Sequence, residues 1–129
     1  MNGKYLLDTN IVIALFANDQ DAIHRIDQAE DVFIPAVVIG ELFYGANKSS
    51  RAIENTERIE KFASDNVILN CNIETARCYG KIKNALRKKG RPIPENDIWI
   101  AAISSQYDLI LVSRDEHFKE VENIIFEKW

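Results

Sequence analysis

Five short apolar runs punctuate this chain without alternating with polar residues: Lys4–Leu7, Val32-Phe33-Ile34, Val67-Ile68-Leu69, Leu109-Ile110-Leu111-Val112 and Ile124-Ile125-Phe126. A strand with one face in water alternates, so runs like these read as strands covered on both faces. The stretches between them carry helical spacing. One helix starts at about Asn10, and another lies within Asn18–Glu30, striped by Ala22, Ile23, Ile26 and Ala29. A third runs from Pro35, placed in its first turn, to about Ala46. Ser49–Ser64 carries Ile53, Ile59 and Phe62 on its apolar side. Asn72–Lys89 carries Ile73, Ala76, Tyr79, Ile82 and Leu86, with Gly90 as its stop. The Arg91-Pro92-Ile93-Pro94 connector precedes a helix from Glu95 to Gln106, and Ser113 and Glu116 have capping-box spacing for a short helix to about Val121. Strands alternating with helices predict an α/β chain, a three-layer α/β/α domain on a parallel sheet, with residues 1–129 as one domain.

Several classes fall away. The longest apolar run, Ile11 to Ala17, is far too short for a membrane span, and the N-terminus lacks a secretory layout. The expected location is the cytoplasm, with no membrane partner. Cys71 and Cys78 are the only cysteines, too far apart along a helix for a disulfide and without the spacing of a zinc site. The net charge of −4 argues against a broad basic surface, but Cys71–Asn96 holds seven basic residues against two acids. Such a stripe is either a solvated helix face or a set of phosphate contacts, and a neighbouring active site would decide between them.

Four acids stand out, because most of the chain's 20 sit on solvated helix faces. Asp8 ends the first apolar run, in Leu7-Asp8-Thr9-Asn10, where open parallel sheets bind ligands. Glu41 lies mid-helix among Ile39, Leu42 and Phe43; Asp97 opens the apolar segment Asp97-Ile98-Trp99-Ile100-Ala101-Ala102-Ile103; Asp115 follows the fourth run. Each alone has a structural explanation, as a cap or as a charge favoured by a helix N-terminus. Three of the four lie at strand ends or helix starts, the same end of a parallel sheet, where converging carboxylates without a function would repel one another and destabilise the fold. A divalent cation, Mg²⁺ or Mn²⁺, resolves that repulsion and turns an acid cluster into a phosphate site. Neither histidine has an evident partner: His117 sits two residues after Asp115, and on an α-helix those side chains face apart.

At these residues the chain resembles the PIN-domain ribonucleases, in particular the VapC-type toxins of toxin–antitoxin pairs. Leu7-Asp8-Thr9-Asn10 is similar to that group's DTN signature, Glu41-Leu42-Phe43-Tyr44-Gly45 to its ELxYG helix, and Asn96-Asp97-Ile98-Trp99-Ile100-Ala101-Ala102 to its NDxxIAA segment. Leu111-Val112-Ser113-Arg114-Asp115-Glu116-His117-Phe118 is similar to its closing LVTxDxxF, with Ser in place of the commoner Thr.

The resemblance implies a five-stranded parallel sheet of order 3-2-1-4-5, with Asp8 and Asp115 facing one crevice. It also implies a metal-dependent endoribonuclease, cutting RNA such as tRNA by a metal-activated water and leaving 5′-phosphate and 3′-hydroxyl ends. Such an enzyme is usually a homodimer silenced by a cognate antitoxin. In that reading Asp8 and Asp97 hold Mg²⁺ (or Mn²⁺), while Glu41 and Asp115 complete the catalytic set. Thr9, Asn10 and Ser113 support it by hydrogen bonding, and Arg87, Lys88, Arg91 and Arg114 are candidate RNA contacts. Ile13, Phe16, Phe43 and Tyr44 are candidates for a protein interface and equally for core. Aspartyl-nucleophile phosphatases need a second Asp where this chain has Asn10. The remaining alternatives are a catalytically silent PIN-like module that binds RNA or protein, and a DNA nuclease of the same superfamily.

Overall fold

A computed structural model describes residues 3–129. Five strands, β1 (Lys4–Leu7), β2 (Asp31–Pro35), β3 (Val67–Leu69), β4 (Ile110–Ser113) and β5 (Ile125–Lys128), form one parallel sheet of order β3-β2-β1-β4-β5. Successive strand residues point to opposite faces, yet Leu6 and Leu7 in β1 are both buried, as are Leu111 and Val112 in β4. Both faces of the central strands are therefore dry, which is why the apolar runs do not alternate.

The covering helices are α1 (Thr9–Phe16), α2 (Gln20–Asp27), α3 (Ala36–Asn47), α4 (Ala52–Asp65), α5 (Ile73–Lys88) and α6 (Glu95–Tyr107), with a 3-10 turn at Glu116–Glu120. Helix α6 shows almost no amphipathic asymmetry because Ile98 and Ile100 to Ser104 are all buried, against α5, α3 and β4. Ser104 survives there by giving its hydroxyl proton to the Leu109 carbonyl, 2.8 Å away. Helix α5 ends at Gly90 with φ +68, a left-handed conformation that glycine adopts without strain.

Three local expectations fail for identifiable reasons. Pro35 closes β2 and stands just before α3 with extended backbone, so its fixed φ serves the strand end and not the first helical turn. On α5 the buried stripe runs Thr75, Ile82 and Leu86, leaving Ile73 and Ala76 exposed. Thr75 takes the buried position with its hydroxyl held by the Asn72 cap and by Gln106 at the edge of the core. Ile53 on α4 is likewise exposed, and that helix anchors through Ile59 and Phe62. Cys71 and Cys78 are free thiols, and no helix of the described residues is long and apolar enough to cross a membrane.

Candidate metal and phosphate site

The adjacency of β1 and β4 builds the floor of the site. Leu7 pairs with Val112, and the Asp8 N–H continues the ladder to the Val112 carbonyl at 3.0 Å. The next residues, Asp8 and Ser113, therefore emerge side by side at the carboxyl end of the sheet, both buried. Asp8 is also the N-cap of α1: Oδ1 accepts from the Thr9 N–H at 2.8 Å, and Oδ2 accepts from the Ser113 hydroxyl at 2.7 Å. Capping and function are thus compatible, since each carboxylate oxygen keeps a second lone pair.

Ser113 Oγ spends its full capacity here. Besides donating to Asp8 it accepts from Asn10 Nδ2 at 3.1 Å and from the Asp115 N–H at 3.0 Å. The capping box expected between Ser113 and Glu116 does not form, because Asp115 is the N-cap of the turn and the Ser113 oxygen already accepts from Asn10 and the Asp115 N–H. Asn10 Oδ1 in turn accepts the Arg114 N–H at 3.1 Å, tying α1 to the loop after β4. Thr9 donates its hydroxyl to Glu41 Oε1 at 3.0 Å, which binds α1 to α3. The three polar residues marked in the sequence are therefore cross-braces between acid-bearing elements.

One cleft of about 510 Å³ is lined by Asp8, Thr9, Asn10, Ile13, Glu41, Pro94, Glu95, Asn96, Asp97 and Asp115. The acids come from the ends of β1 and β4, the middle of α3 and the first turn of α6. Their mutual repulsion registers in their proton affinities. Burial, and then the Asp8 charge, push Asp97 up from 3.8 to about 6, against a lowering pull from His117. Burial also raises Asp8, partly offset by the Ser113 and Thr9 hydrogen bonds, and the Asp115 charge adds to the rise. Glu41 is raised by burial too, with its Thr9 hydrogen bond acting the other way.

The residue that the sequence pattern missed is His117. Its Nδ1 lies 2.8 Å from Asp115 Oδ1, and its Nε2 lies 2.6 Å from Asp97 Oδ2. Asp115 and His117 do not face apart, because Asp115 is not helical. It is the extended N-cap of a 3-10 turn, with φ −99 and ψ 116, and its side chain folds back over the turn. The signal lay in the residue type: a histidine next to an acid at a strand end, in a segment too short for α-helical periodicity.

The candidate RNA contacts divide. Arg114 is paired with Asp19 at 2.8 Å. Arg87, Lys88 and Arg91 are exposed at the end of α5 and the following connector, and none is in an ion pair among the described residues. A second cleft, of about 340 Å³, is lined by Lys83, Leu86, Arg87, Pro92, Ile93, Glu95 and Ile98; it meets the acid cleft at Glu95. Of the candidate interface residues, Ile13 and Tyr44 are exposed, at 53% and 67%, while Phe16 and Phe43 pack partly against the core. A third, more apolar cleft of about 260 Å³ contains Ile13 and Phe16 and shares Thr9 and Glu41 with the acid cleft.

The donor set fits a hard divalent cation: several carboxylates with raised proton affinity, braced by hydrogen bonds that leave lone pairs free. A cluster of potential ligand atoms from Asp97, Asp115 and His117 falls within 4.8 Å.

Comparison with known proteins identifies relatives of this fold. The family model described as PIN domain matches residues 5–124. Ribonuclease VapC2 of Haemophilus influenzae is 39% identical over 129 residues, covering 98% of both chains. The tRNA(fMet)-specific endonuclease VapC of Shigella flexneri is 32% identical over 130 residues, again covering 98% of both. Among solved structures, DNA-bound VapBC from Salmonella typhimurium superposes with a TM-score of 0.90 at 27% identity, covering 100% of this chain and 99% of the other.

Proposed function

This chain belongs to the PIN domain family, and from that premise we propose that it is a metal-dependent endoribonuclease, the toxin of a toxin–antitoxin pair. The observation that carries the reading is the cleft in which Asp8, Glu41, Asp97 and Asp115 meet from four separate elements, with Asp8 only 6% exposed. A fold that keeps such a cluster accepts an electrostatic cost whose natural compensation is a divalent cation.

Asp8 and Asp97 hold the ion, Mg²⁺ or Mn²⁺, and Asp115 and Glu41 complete its surroundings. A cation there offsets charge on the scissile phosphate and lowers the pKa of water at the site. Thr9 fixes one Glu41 oxygen, leaving the other to take up a proton from the attacking water. Ser113 and Asn10 keep Asp8 and the loop after β4 in register. Arg87, Lys88 and Arg91 track the RNA backbone beside the cleft, and Arg114 positions Asp19 and the end of α1. The relatives named as ribonucleases, one of them specific for a tRNA, favour RNA over DNA as substrate and make tRNA the first to try.

The partner reading is a cognate antitoxin. It is supported by the VapBC neighbours and by the cleft holding Ile13 and Phe16, whose occupant would reach Thr9 and Glu41. A homodimer in solution and assignment of residues 1–129 to one domain belong to the same proposal, as does action in the cytoplasm.

The test is cleavage of tRNA and of DNA by pure protein, with Mg²⁺ or with EDTA, beside Asp8→Asn. RNA cleavage should need the metal, leave 5′-phosphate and 3′-hydroxyl ends, and fall at least ~10²-fold in the variant. Equal cleavage by both proteins would sink the proposal, and 2′,3′-cyclic phosphate ends would point to metal-free chemistry through the 2′-hydroxyl.

A further inference from the structure

His117 sits where the metal reading places an ion, and the four-acid site has no role for it. Its ring is three-quarters buried and backed by Phe118, whose ring lies 4.8 Å away and is itself fully buried. Each ring nitrogen faces a carboxylate. Nδ1 is 2.8 Å from Asp115 Oδ1. Nε2 is buried, has no hydrogen-bond partner among the described residues, and still approaches Asp97 Oδ2 to 2.6 Å.

We infer that His117 Nε2 is a nitrogen ligand of the cation held by Asp97, with Asp115 orienting the imidazole through Nδ1. This rests on the metal-dependent reading above. Metal-ligating histidines characteristically give their other N–H to a carboxylate, which fixes tautomer and ring orientation, and Asp115 Oδ1, 2.8 Å from Nδ1, is within reach of that role. The spacing is also suitable. Adjacent octahedral ligands ~2.1 Å from an ion lie ~3 Å apart, so Asp97 Oδ2 and His117 Nε2 need separate by only a few tenths of an ångström. Asp115, half-exposed beyond the ring, then acts through His117 instead of binding the ion itself. A nitrogen donor among carboxylates tilts the site from Mg²⁺ toward a first-row transition ion such as Mn²⁺.

The experiment uses Mn²⁺ as the probe with the full chain. Pulsed electron paramagnetic resonance of the Mn²⁺ complex should show coupling to a directly bound imidazole nitrogen, and ¹⁵N-histidine labelling should convert that coupling to its ¹⁵N pattern. The signal should persist in His24→Gln and vanish in His117→Gln. Calorimetric titration of the latter should show Mn²⁺ affinity weakened at least ~10-fold and Mg²⁺ affinity changed less than ~3-fold. The labelled wild-type spectrum decides the matter even if His117→Gln does not fold. Saturable Mn²⁺ binding that is lost in Asp97→Asn but shows no nitrogen coupling would overturn this inference and leave the metal site standing. No saturable binding of either ion to the wild type would overturn the metal reading and the inference with it.

Discussion

Replacing Asp97 with Asn should abolish function and stabilise the metal-free protein. The side chain is only 15% exposed, and burial with the Asp8 charge pushes its carboxyl from 3.8 to about 6. Holding a carboxyl at about 6 when the unfolded chain holds it at 3.8 costs the folded state ~3 kcal/mol above both values. The sign follows from proton uptake: between those values the folded chain binds the proton that the unfolded chain has lost, so stability falls as pH rises. The full cost is present at pH 8, about half of it at pH 5, and none well below 3.8. Asn carries no charge and can donate an N–H toward His117 Nε2, which lies 2.6 Å from the replaced oxygen. In EDTA at pH 8, Asp97→Asn should therefore be up to ~3 kcal/mol more stable than wild type, raising Tm by ~5–10 °C, with the gap shrinking as pH falls from 6 to 4. Adding Mn²⁺ or Mg²⁺ should raise the wild-type Tm and leave the variant's unmoved. The assay is thermal and urea unfolding followed by circular dichroism across that pH range. A variant less stable than wild type at pH 8 in EDTA, or a gap independent of pH, would refute the claim that the acids strain one another.

Ser113→Ala removes the donor to Asp8 Oδ2 and the acceptor for Asn10 and for the Asp115 N–H, all in a buried setting. It should cost about 1–3 kcal/mol by urea unfolding, and an unchanged midpoint would show that water replaces the hydroxyl. Replacing Arg87, Lys88 and Arg91 together by Ala should reduce the salt slope of RNA binding by about 2, at ~0.7 per phosphate contact on single strands, with little change in Tm. An unaltered slope would return that stripe to the status of a solvated helix face.

The fold was legible because its main determinant is a pattern, not a contact. Leu6, Leu7, Leu111 and Val112 lie in adjacent positions that only a doubly covered strand can bury together. The sheet order was a different matter, carried by the resemblance and not by any run of apolar residues. What the pattern could not supply was the choice between competing buried groups. By periodicity Ile73 and Ala76 look more core-like than Thr75, yet Thr75 goes inside because Asn72 and Gln106 satisfy its hydroxyl there. A hydrophobicity stripe cannot register a partner 31 residues away. The same blindness affects Ser113, whose capping-box spacing is real in sequence and empty in structure because Asp115 caps the turn and Asn10 and the Asp115 N–H take the Ser113 oxygen.

The candidate acids were legible for the opposite reason: a buried carboxylate is so costly that its setting in the sequence is conspicuous. Asp8 after a strand, Glu41 among apolar helix residues and Asp97 at the head of a fully buried helix each break a local pattern. His117 breaks none. An imidazole in a short polar turn costs little, and its relation to Asp115 depends on backbone angles at one extended residue that no helical rule describes. Its relation to Asp97, 20 residues away in the chain, depends on the end of β4 and the start of α6 meeting at the same end of the sheet. Residues that violate a local rule are thus the visible part of such a site, and those that comply while ligating across the fold are the hidden part. If the nitrogen coupling to Mn²⁺ is found, the defining ligand of this cleft is one that no scan for out-of-place charges could have flagged.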